Sequence, residues 1–195
     1  MRDFKSQLKE GQAGESFIAR WRRARGSSVI PIYEKILDTG KGPQLFLPNE
    51  ELVAPDLLEF LSTKEVRWIE AKHKTTFTWH HKTQCWTTGI DLRHWKDYLR
   101  VDAESPFRVW LLFLHRGGRD KDTGRSSPSG LYGARIAFLK DNVHHEWPRP
   151  QPGQPSGMIY WREEVLTYIA SIAEMECDIA EAKSRTARQQ AHQPH

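Results

Sequence analysis

Three charged side chains that could bind a divalent metal and a phosphate lie close together in this sequence. Asp56 follows Pro55, and Glu70-Ala71-Lys72 comes after a short apolar stretch. Strand residues point alternately to the two faces of a sheet, so Glu70 and Lys72 share one face and Ala71 has the other. Two carboxylates and an ammonium on neighbouring strands can hold a divalent metal at a phosphodiester.

The turn predicted at Ser62-Thr63-Lys64 fixes how these two segments pair. In an antiparallel hairpin the numbers of paired residues sum to a constant, and a turn centred on Thr63 makes that sum 126. Asp56 and Glu70 satisfy it, so we expect their Cα atoms roughly 4.5–5.5 Å apart. Like charges at that distance repel unless a cation offsets them. A metal site between the two carboxylates is the economical explanation.

Local patterns predict the elements that position these residues. A helix is expected over about 9–25, with Gly26 ending it, followed by a strand over 27–33. Pro31 places that strand at a sheet edge or a bulge. The two motif strands are expected around 52–58 and 65–72.

Further elements are predicted downstream. Thr88 is expected to cap a helix that runs to about residue 100, and 107–114 has the continuous apolar pattern of a strand buried on both faces. Residues 116–130 are expected to form a surface loop, 131–139 another strand, and 161–188 a long helix with apolar residues at helical spacing. The resulting set of strands and helices predicts a mixed sheet flanked by helices.

Composition bounds the class of protein. The chain has 195 residues, of which 38% are hydrophobic and 28% charged, which fits one soluble globular domain. No apolar run approaches the roughly 18 residues needed to span a bilayer, and the first residues lack a signal-peptide pattern. We therefore expect a cytoplasmic protein with no membrane partner. Cys85 and Cys177 indicate no disulfide framework, and the net charge of +4 permits a polyanionic partner.

These segments resemble the PD-(D/E)xK nuclease superfamily, which includes restriction endonucleases, Holliday-junction resolvases and phage recombination nucleases. The resemblance rests on Gly14-Glu15, Val53-Ala54-Pro55-Asp56 and Trp68-Ile69-Glu70-Ala71-Lys72, and it continues to the helix near Tyr98 and the strand ending near Leu114. It covers somewhat more than half of the chain. It implies an α/β fold with a restriction-endonuclease-like mixed β-sheet core, in the order α-β-β-β-α-β, plus a C-terminal helical extension.

The resemblance also implies an activity and roles for site residues. It implies Mg²⁺-dependent cleavage of DNA, with Mn²⁺ as a possible substitute. Asp56 and Glu70 would hold the metal, with the backbone carbonyl of Ala71 as a third oxygen and Glu15 as a further ligand from the first helix. Lys72 would orient the attacking water and stabilise negative charge. The expected domains are a nuclease core over 1–140, a Pro-rich connector over 141–160, and a C-terminal helix with a polar tail over 161–195.

Several alternatives stay open. A general endonuclease, an exonuclease and a structure-specific Holliday-junction resolvase share this set of residues. A catalytically inactive DNA-binding or assembly protein on the same fold is an alternative from another class, and a structural protein without a nucleic-acid role is a third. The sequence does not fix the oligomeric state, for which a homodimer is one option.

Other candidate motifs are weaker. The second Glu-Ala-Lys tripeptide, at residues 181–183, lies in a helical pattern without a partner aspartate. His73, His80, His81 and Cys85 match no common zinc spacing, so we expect surface or DNA-facing roles for them.

Basic and aromatic residues could also contact nucleic acid. We expect Trp86 to lie in the core, and Asp91 and Tyr98 to support the site from the second helix. The remaining candidates are Lys72, Lys74, His80, His81 and Lys82 with Phe77 and Trp79; Arg20, Arg22, Arg23 and Arg25 beside Trp21 on the first helix; and Arg116, Arg119, Lys121 and Arg125 in a loop that could close over DNA.

Overall fold

The computed structural model describes residues 4–32, 43–47, 50–120, 123–149 and 156–191. Tyr33 and Lys121, which the sequence placed in a strand and in a basic loop, lie outside these residues. The elements are α1 (Phe4–Ala24), β1 (Ser28–Pro31), β2 (Gln44–Leu47), β3 (Glu50–Val53), β4 (Leu57–Phe60), β5 (Val66–Lys74), β6 (Thr78–His80), β7 (Cys85–Asp91), α2 (Leu92–Glu104), β8 (Arg108–His115), β9 (Gly118–Arg119), β10 (Ser126–Ser127), β11 (Gly130–Arg135), α3 (Ile136–Asp141), β12 (His145–Trp147), β13 (Met158–Arg162), a 3-10 helix (Glu163–Val165), β14 (Thr167–Ala170) and α4 (Ile172–Ala191).

The main sheet has six strands in the order β1-β4-β5-β8-β11-β14. Strands β5 and β8 are parallel, and the other neighbouring pairs are antiparallel. A parallel pair needs a crossover connection, and here it contains α2. The α-β-β-β-α-β order is present, in chain order, as α1, β1, β4, β5, α2 and β8, with further strands between them. The predicted mixed sheet with flanking helices and a C-terminal helix is therefore confirmed.

The main sheet separates two apolar cores. On one face, Ile69 and Ala71 of β5 pack with Ile18 of α1 and Met175 of α4. On the other, Trp68 packs with residues of α2, α3 and β13. Because strand residues alternate between the two faces of a sheet, Glu70 and Lys72 lie on the same face as Trp68, which is the face covered by α2. Among the described residues, no helix is long and apolar enough to cross a membrane.

The hairpin of β4 and β5 has the predicted register. Leu57 pairs with Ile69 and Leu58 with Trp68, and both pairs sum to 126. The connecting turn places Lys64 at a φ of 67°, in the left-handed region. Strand β1 pairs with β4 at the edge of the sheet, which is the position that Pro31 predicted.

The first motif strand differs from its prediction. Instead of one strand over 52–58, the chain forms β3, which pairs with β2, and then β4, which belongs to the main sheet. The break falls at Ala54-Pro55-Asp56. Proline has no N–H with which to continue a ladder, and Ala54 donates its N–H to the carbonyl of Pro43 at 2.7 Å.

The predicted helix start at Thr88 is wrong. Thr88 lies in β7, which pairs with both β6 and β13 in a second, four-stranded sheet. The N-cap of α2 is Asp91, whose carboxylate accepts a hydrogen bond from the Arg93 N–H at 2.9 Å. Here the pairing with the distant strand β13 outweighs the local preference of Thr88 for a helix N-cap position.

Two downstream predictions are also corrected. The predicted strand over 131–139 ends at Arg135, and α3 follows directly. The predicted helix over 161–188 begins at Ile172, because the preceding residues form the end of β13, a 3-10 turn and β14. Strand β14 pairs with β11, so it completes the main sheet.

The close approach of α1 to β5 leads to a stability prediction. A Cβ atom on Gly14 would lie 2.5 Å from the Cβ of His73. We expect Gly14→Ala to lower the free energy of unfolding by about 1–3 kcal/mol, because α1 must move away from β5. A Cβ on Gly11, one turn earlier, meets no described atom closer than 4.0 Å. Gly11→Ala is therefore expected to raise stability by up to about 1 kcal/mol.

Urea unfolding of the two variants beside the wild type tests this difference. If Gly14→Ala were as stable as Gly11→Ala, α1 would not contact β5 as closely as described.

Candidate functional site

Asp56 lies between β3 and β4, directly before the first residue of β4. Two hydrogen bonds fix its position. Its backbone carbonyl accepts from the Ile32 N–H at 2.8 Å, and its side-chain Oδ2 accepts from the Ala71 N–H at 2.9 Å. The paired register of the hairpin ends at Leu57 and Ile69, so Asp56 and Glu70 each lie one residue beyond the last pair. The backbone of two neighbouring strands therefore holds this carboxylate.

Glu70 and Lys72 form an ion pair on the α2 side of β5. The Glu70 carboxylate contacts the Lys72 ammonium through Oε1, and the side chain of Glu70 is 1% exposed while that of Lys72 is 26% exposed. Neither oxygen of Glu70 has a hydrogen bond of normal geometry to a described residue. Buried carboxylate oxygens are costly without donors or a cation. Lys72 offsets part of this cost.

Glu15 approaches the same residues from α1. The helix begins at Phe4, so Glu15 lies in its fourth turn, not near the N-terminus where the helix dipole favours a carboxylate. Glu15 is half-buried, and the charges of Lys72 and Glu70 both act on its pKa. The structure therefore brings together the four predicted site residues, and their chemical roles stay predictions.

The electrostatics of the site show an excess of negative charge. Burial raises the pKa of Asp56 well above its usual value, and the charge of Glu70 raises it further. Burial also raises the pKa of Glu15. For Lys72, burial would lower the pKa, but Glu70, Asp56 and Glu15 together outweigh it and raise the pKa. Three carboxylates thus surround one ammonium, and a further cation would stabilise their ionised forms.

This donor set fits a hard divalent cation. Mg²⁺ prefers carboxylate oxygens, and the two Glu70 oxygens that lack hydrogen bonds are suitable donors. As the side chains stand, no three His, Cys, Asp or Glu residues of the described chain already form a group that could hold a metal ion. Glu70 is paired with Lys72 instead. The ion pair uses Oε1 of Glu70 and leaves Oε2 without this contact, and the predicted role of the Ala71 carbonyl is untested.

Helix α2 contributes two further residues. Burial raises the pKa of Tyr98, and the nearby carboxylates of Glu70 and Asp56 raise it further. Burial and the Lys72 charge lower the pKa of His94. Sequence analysis named Tyr98 but missed His94. The signal was available, since residues four apart share a helix face, and the two rings lie 6.1 Å apart.

Asp91 has a structural role, distinct from the site support expected of it. It caps α2 by accepting from the Arg93 N–H, and it also accepts a hydrogen bond from the Ser156 hydroxyl. Burial tends to raise its pKa, but these hydrogen bonds outweigh that effect and lower it. Asp91 therefore fixes where α2 begins, and with it the position of His94 and Tyr98.

The predicted basic and aromatic surface is partly buried. Phe77 is fully buried and stacks on His115 with ring centroids 3.6 Å apart, so its expected contact with nucleic acid is wrong. Trp86 packs partly buried against the core, as expected. Trp79 lies under the Arg125 guanidinium, 4.1 Å from its ring centroid. Only part of the set is therefore free to contact a partner.

The histidines and cysteine considered for zinc lie in different places. His73 accepts a hydrogen bond from the Arg116 side chain at 2.8 Å, on the α1 side of β5. His80 and Cys85 both contact the Thr83 hydroxyl, at 2.7 and 3.1 Å.

Comparisons with known proteins give a loose structural likeness. No protein-family model and no curated protein sequence matches the chain. Among solved structures, the fold is similar to that of Hjc, a Holliday junction resolvase from Archaeoglobus fulgidus. The two share 10% sequence identity, the match covers 80% of this chain and 90% of that one, and the TM-score is 0.43. Because a TM-score below 0.5 carries no functional argument, the interpretation of the site depends on its own geometry.

The charge excess leads to a pH-dependent prediction for Asp56→Asn. The folded state raises the pKa of Asp56 above 3.8, so folding favours the protonated form. The stabilisation from this group is complete below the unfolded pKa and is lost as pH rises through the folded pKa. In EDTA at neutral pH, we expect Asp56→Asn to unfold at a higher temperature than the wild type. The gain should shrink as pH falls towards 4, while Asn still accepts the Ala71 hydrogen bond.

Asp102→Asn is the matched control. Asp102 also accepts a backbone hydrogen bond, from the Val109 N–H at 2.7 Å, but does not contribute to the charge cluster. Thermal unfolding of both variants between about pH 4 and 8 makes the comparison. A constant loss of stability in Asp56→Asn at every pH would contradict the electrostatic description.

Proposed function

We propose that this protein is a metal-dependent deoxyribonuclease that hydrolyses phosphodiester bonds. The observation that carries the proposal is the convergence of Glu15, Asp56 and Glu70 on the single ammonium of Lys72. A buried site with more carboxylates than cations gains stability from a divalent ion. A phosphodiester then brings both an oxygen ligand and a negative charge for the ammonium.

The proposed roles follow from positions and charges. Asp56 and Glu70 hold the metal, with the Ala71 carbonyl and Glu15 as further oxygen donors. Mg²⁺, or Mn²⁺ in its place, would lower the pKa of a bound water and offset charge on the phosphate. Hydrolysis adds the elements of water across a P–O bond: the water oxygen bonds to phosphorus, and the leaving oxygen takes a proton.

Lys72 serves as a charged donor in this proposal. Its raised pKa keeps the ammonium protonated at neutral pH, so it is a poor proton acceptor. With Glu70 as a metal ligand, the ammonium would contact a phosphate oxygen or the attacking water. Tyr98 and His94 lie close enough to Glu70 for its charge to raise the pKa of Tyr98 and to act on that of His94.

A second candidate function is DNA binding without cleavage. The observation that favours it is the Glu70–Lys72 ion pair, in which the ammonium already offsets the charge of the Glu70 carboxylate. Salt-sensitive DNA binding together with no effect of Mg²⁺ would support this alternative. Within the nuclease proposal, a panel of linear, flapped and four-way DNA would separate a Holliday-junction resolvase from a general endonuclease or an exonuclease.

Metal binding has a readout that does not depend on activity. We expect Mg²⁺ to raise the melting temperature of the wild type, because an ion that binds only the folded state stabilises it by about 2.7 kcal/mol at a hundred times its Kd. The shift should be much smaller in Glu70→Gln. Glu181→Gln alters the same tripeptide in the exposed helix α4 and should keep the full shift. An equal shift in both variants would place the ion elsewhere.

Cleavage of plasmid DNA in Mg²⁺ tests the activity. We expect Lys72→Ala and Asp56→Asn each to lower the rate by at least about a hundredfold, since each removes a group that stabilises the transition state. Glu181→Gln should cleave like the wild type. Undiminished cleavage in both site variants would refute the assignment of these residues.

A further inference from the structure

A basic groove runs between the C-terminal half of α1 and helix α4. It has a volume of about 480 Å³, and its floor is built of small and apolar residues such as Ala24, Ile179 and Ala182. Three basic side chains, Arg20, Arg23 and Lys183, line it, and none of the described residues along it is acidic. A groove with cations at its walls and a narrow apolar floor suits an extended anion.

The basic residues of the groove differ from their neighbours in how they are paired. Arg25 of the same region is paired with Asp178 at 3.7 Å, and Arg185 of α4 is paired with Glu181 at 3.7 Å. Arg23 and Lys183 have no such acidic partner among the described residues.

Arg20 completes the set of uncompensated charges. It donates to the Ser16 carbonyl at 3.3 Å and lies over the Phe17 ring, and neither contact neutralises its charge. The acids of α4 thus neutralise the outer arginines and leave the charges of the groove available.

The groove continues along α1 towards Glu15. A second depression of about 260 Å³ shares Arg20 with it and is lined by Gly14, His73 and Arg116, with Glu176 as its acidic residue. Gly14 precedes Glu15, the residue that α1 contributes to the candidate site, whereas Glu70 and Lys72 lie on the opposite face of the sheet from His73.

The groove also has a length that can be compared with a nucleic acid. From Glu15 to Arg23, α1 rises by about 12 Å. Phosphates of one strand of a duplex are about 3.4 Å apart along its axis, so this length corresponds to roughly three nucleotides.

We propose that the groove between α1 and α4 binds the sugar–phosphate backbone of the DNA substrate, about three nucleotides from the bond that the site cleaves. This inference rests on the proposed nuclease function. Arg20, Arg23 and Lys183 contact phosphates, and the small residues of the floor let the backbone approach the helices. Helix α4 lies outside the α-β-β-β-α-β core, so the C-terminal extension supplies one wall of the substrate path.

The test compares two double variants that each remove one positive charge from α1 or its end and one from α4. Arg23→Ala/Lys183→Ala removes groove charges, and Arg25→Ala/Arg185→Ala removes paired ones. Binding of labelled duplex DNA is measured in EDTA, where hydrolysis cannot interfere, at several salt concentrations. We expect the groove variant to bind about tenfold more weakly, with a slope of log K against log salt smaller by about two. The control should stay close to the wild type.

A folding check and a charge-retaining variant serve as further controls. Circular dichroism and thermal unfolding check that both doubles are folded, and the charge-retaining variant Arg23→Lys/Lys183→Arg should keep the wild-type slope. Equal slopes in the two alanine doubles would overturn the groove assignment, and wild-type cleavage in Mg²⁺ would then show that the nuclease proposal survives. Binding of polyglutamate in place of DNA would overturn the assignment in favour of an acidic protein partner.

Discussion

The structure of the site depends on the register of one antiparallel hairpin. Strands β4 and β5 pair up to Leu57 and Ile69, and the Ala71 N–H holds the Asp56 carboxylate in place beside them. The charges of Asp56 and Glu70 repel, and the charge of Glu70 contributes to the raised pKa of Asp56. Lys72 offsets this repulsion, but a third carboxylate, Glu15, adds to it. The site therefore has more carboxylates than ammonium groups, and a bound cation would reduce the repulsion among the carboxylates.

Helices α1 and α2 increase the repulsion among the carboxylates of the site. Helix α1 crosses β5 where Gly14 meets His73, and this close approach brings Glu15 to the sheet. Helix α2 covers the other side with Tyr98 and His94, which exclude water and lower the local dielectric constant. A site that was open to solvent would tolerate three acids easily but would gain less from a metal. The repulsion among the buried carboxylates both lowers the stability of the metal-free protein and favours the binding of a cation.

The sequence predicted features that depend on residues close together in the chain, and it failed where strands distant in the chain pair with one another. The hairpin register followed from a turn centred on Thr63 and from alternation along β5, so simple arithmetic on residue numbers was enough. The assignment of Thr88 to a helix cap failed because its strand pairs with β13, about seventy residues away in the chain. The apolar residues Val165, Ile169 and Ile172 match a helical period, yet the first two belong to a 3-10 turn and to β14, where pairing with β11 outweighs periodicity. His94 was missed since its only signal was its spacing from Tyr98.

The distribution of charge over the molecule bears on how a polyanion could reach the site. A phosphodiester that approaches Glu15, Asp56 and Glu70 directly meets net repulsion, because Lys72 is the one ammonium among them. Cations outside the cluster must supply the attraction, and they must be free of acidic partners to do so. Asp178 and Glu181 of α4 pair with Arg25 and Arg185, and the uncompensated charges line the groove that leads to Gly14. In the proposed nuclease, the separation of metal-binding acids from phosphate-binding cations would let a single chain attract both a cation and DNA.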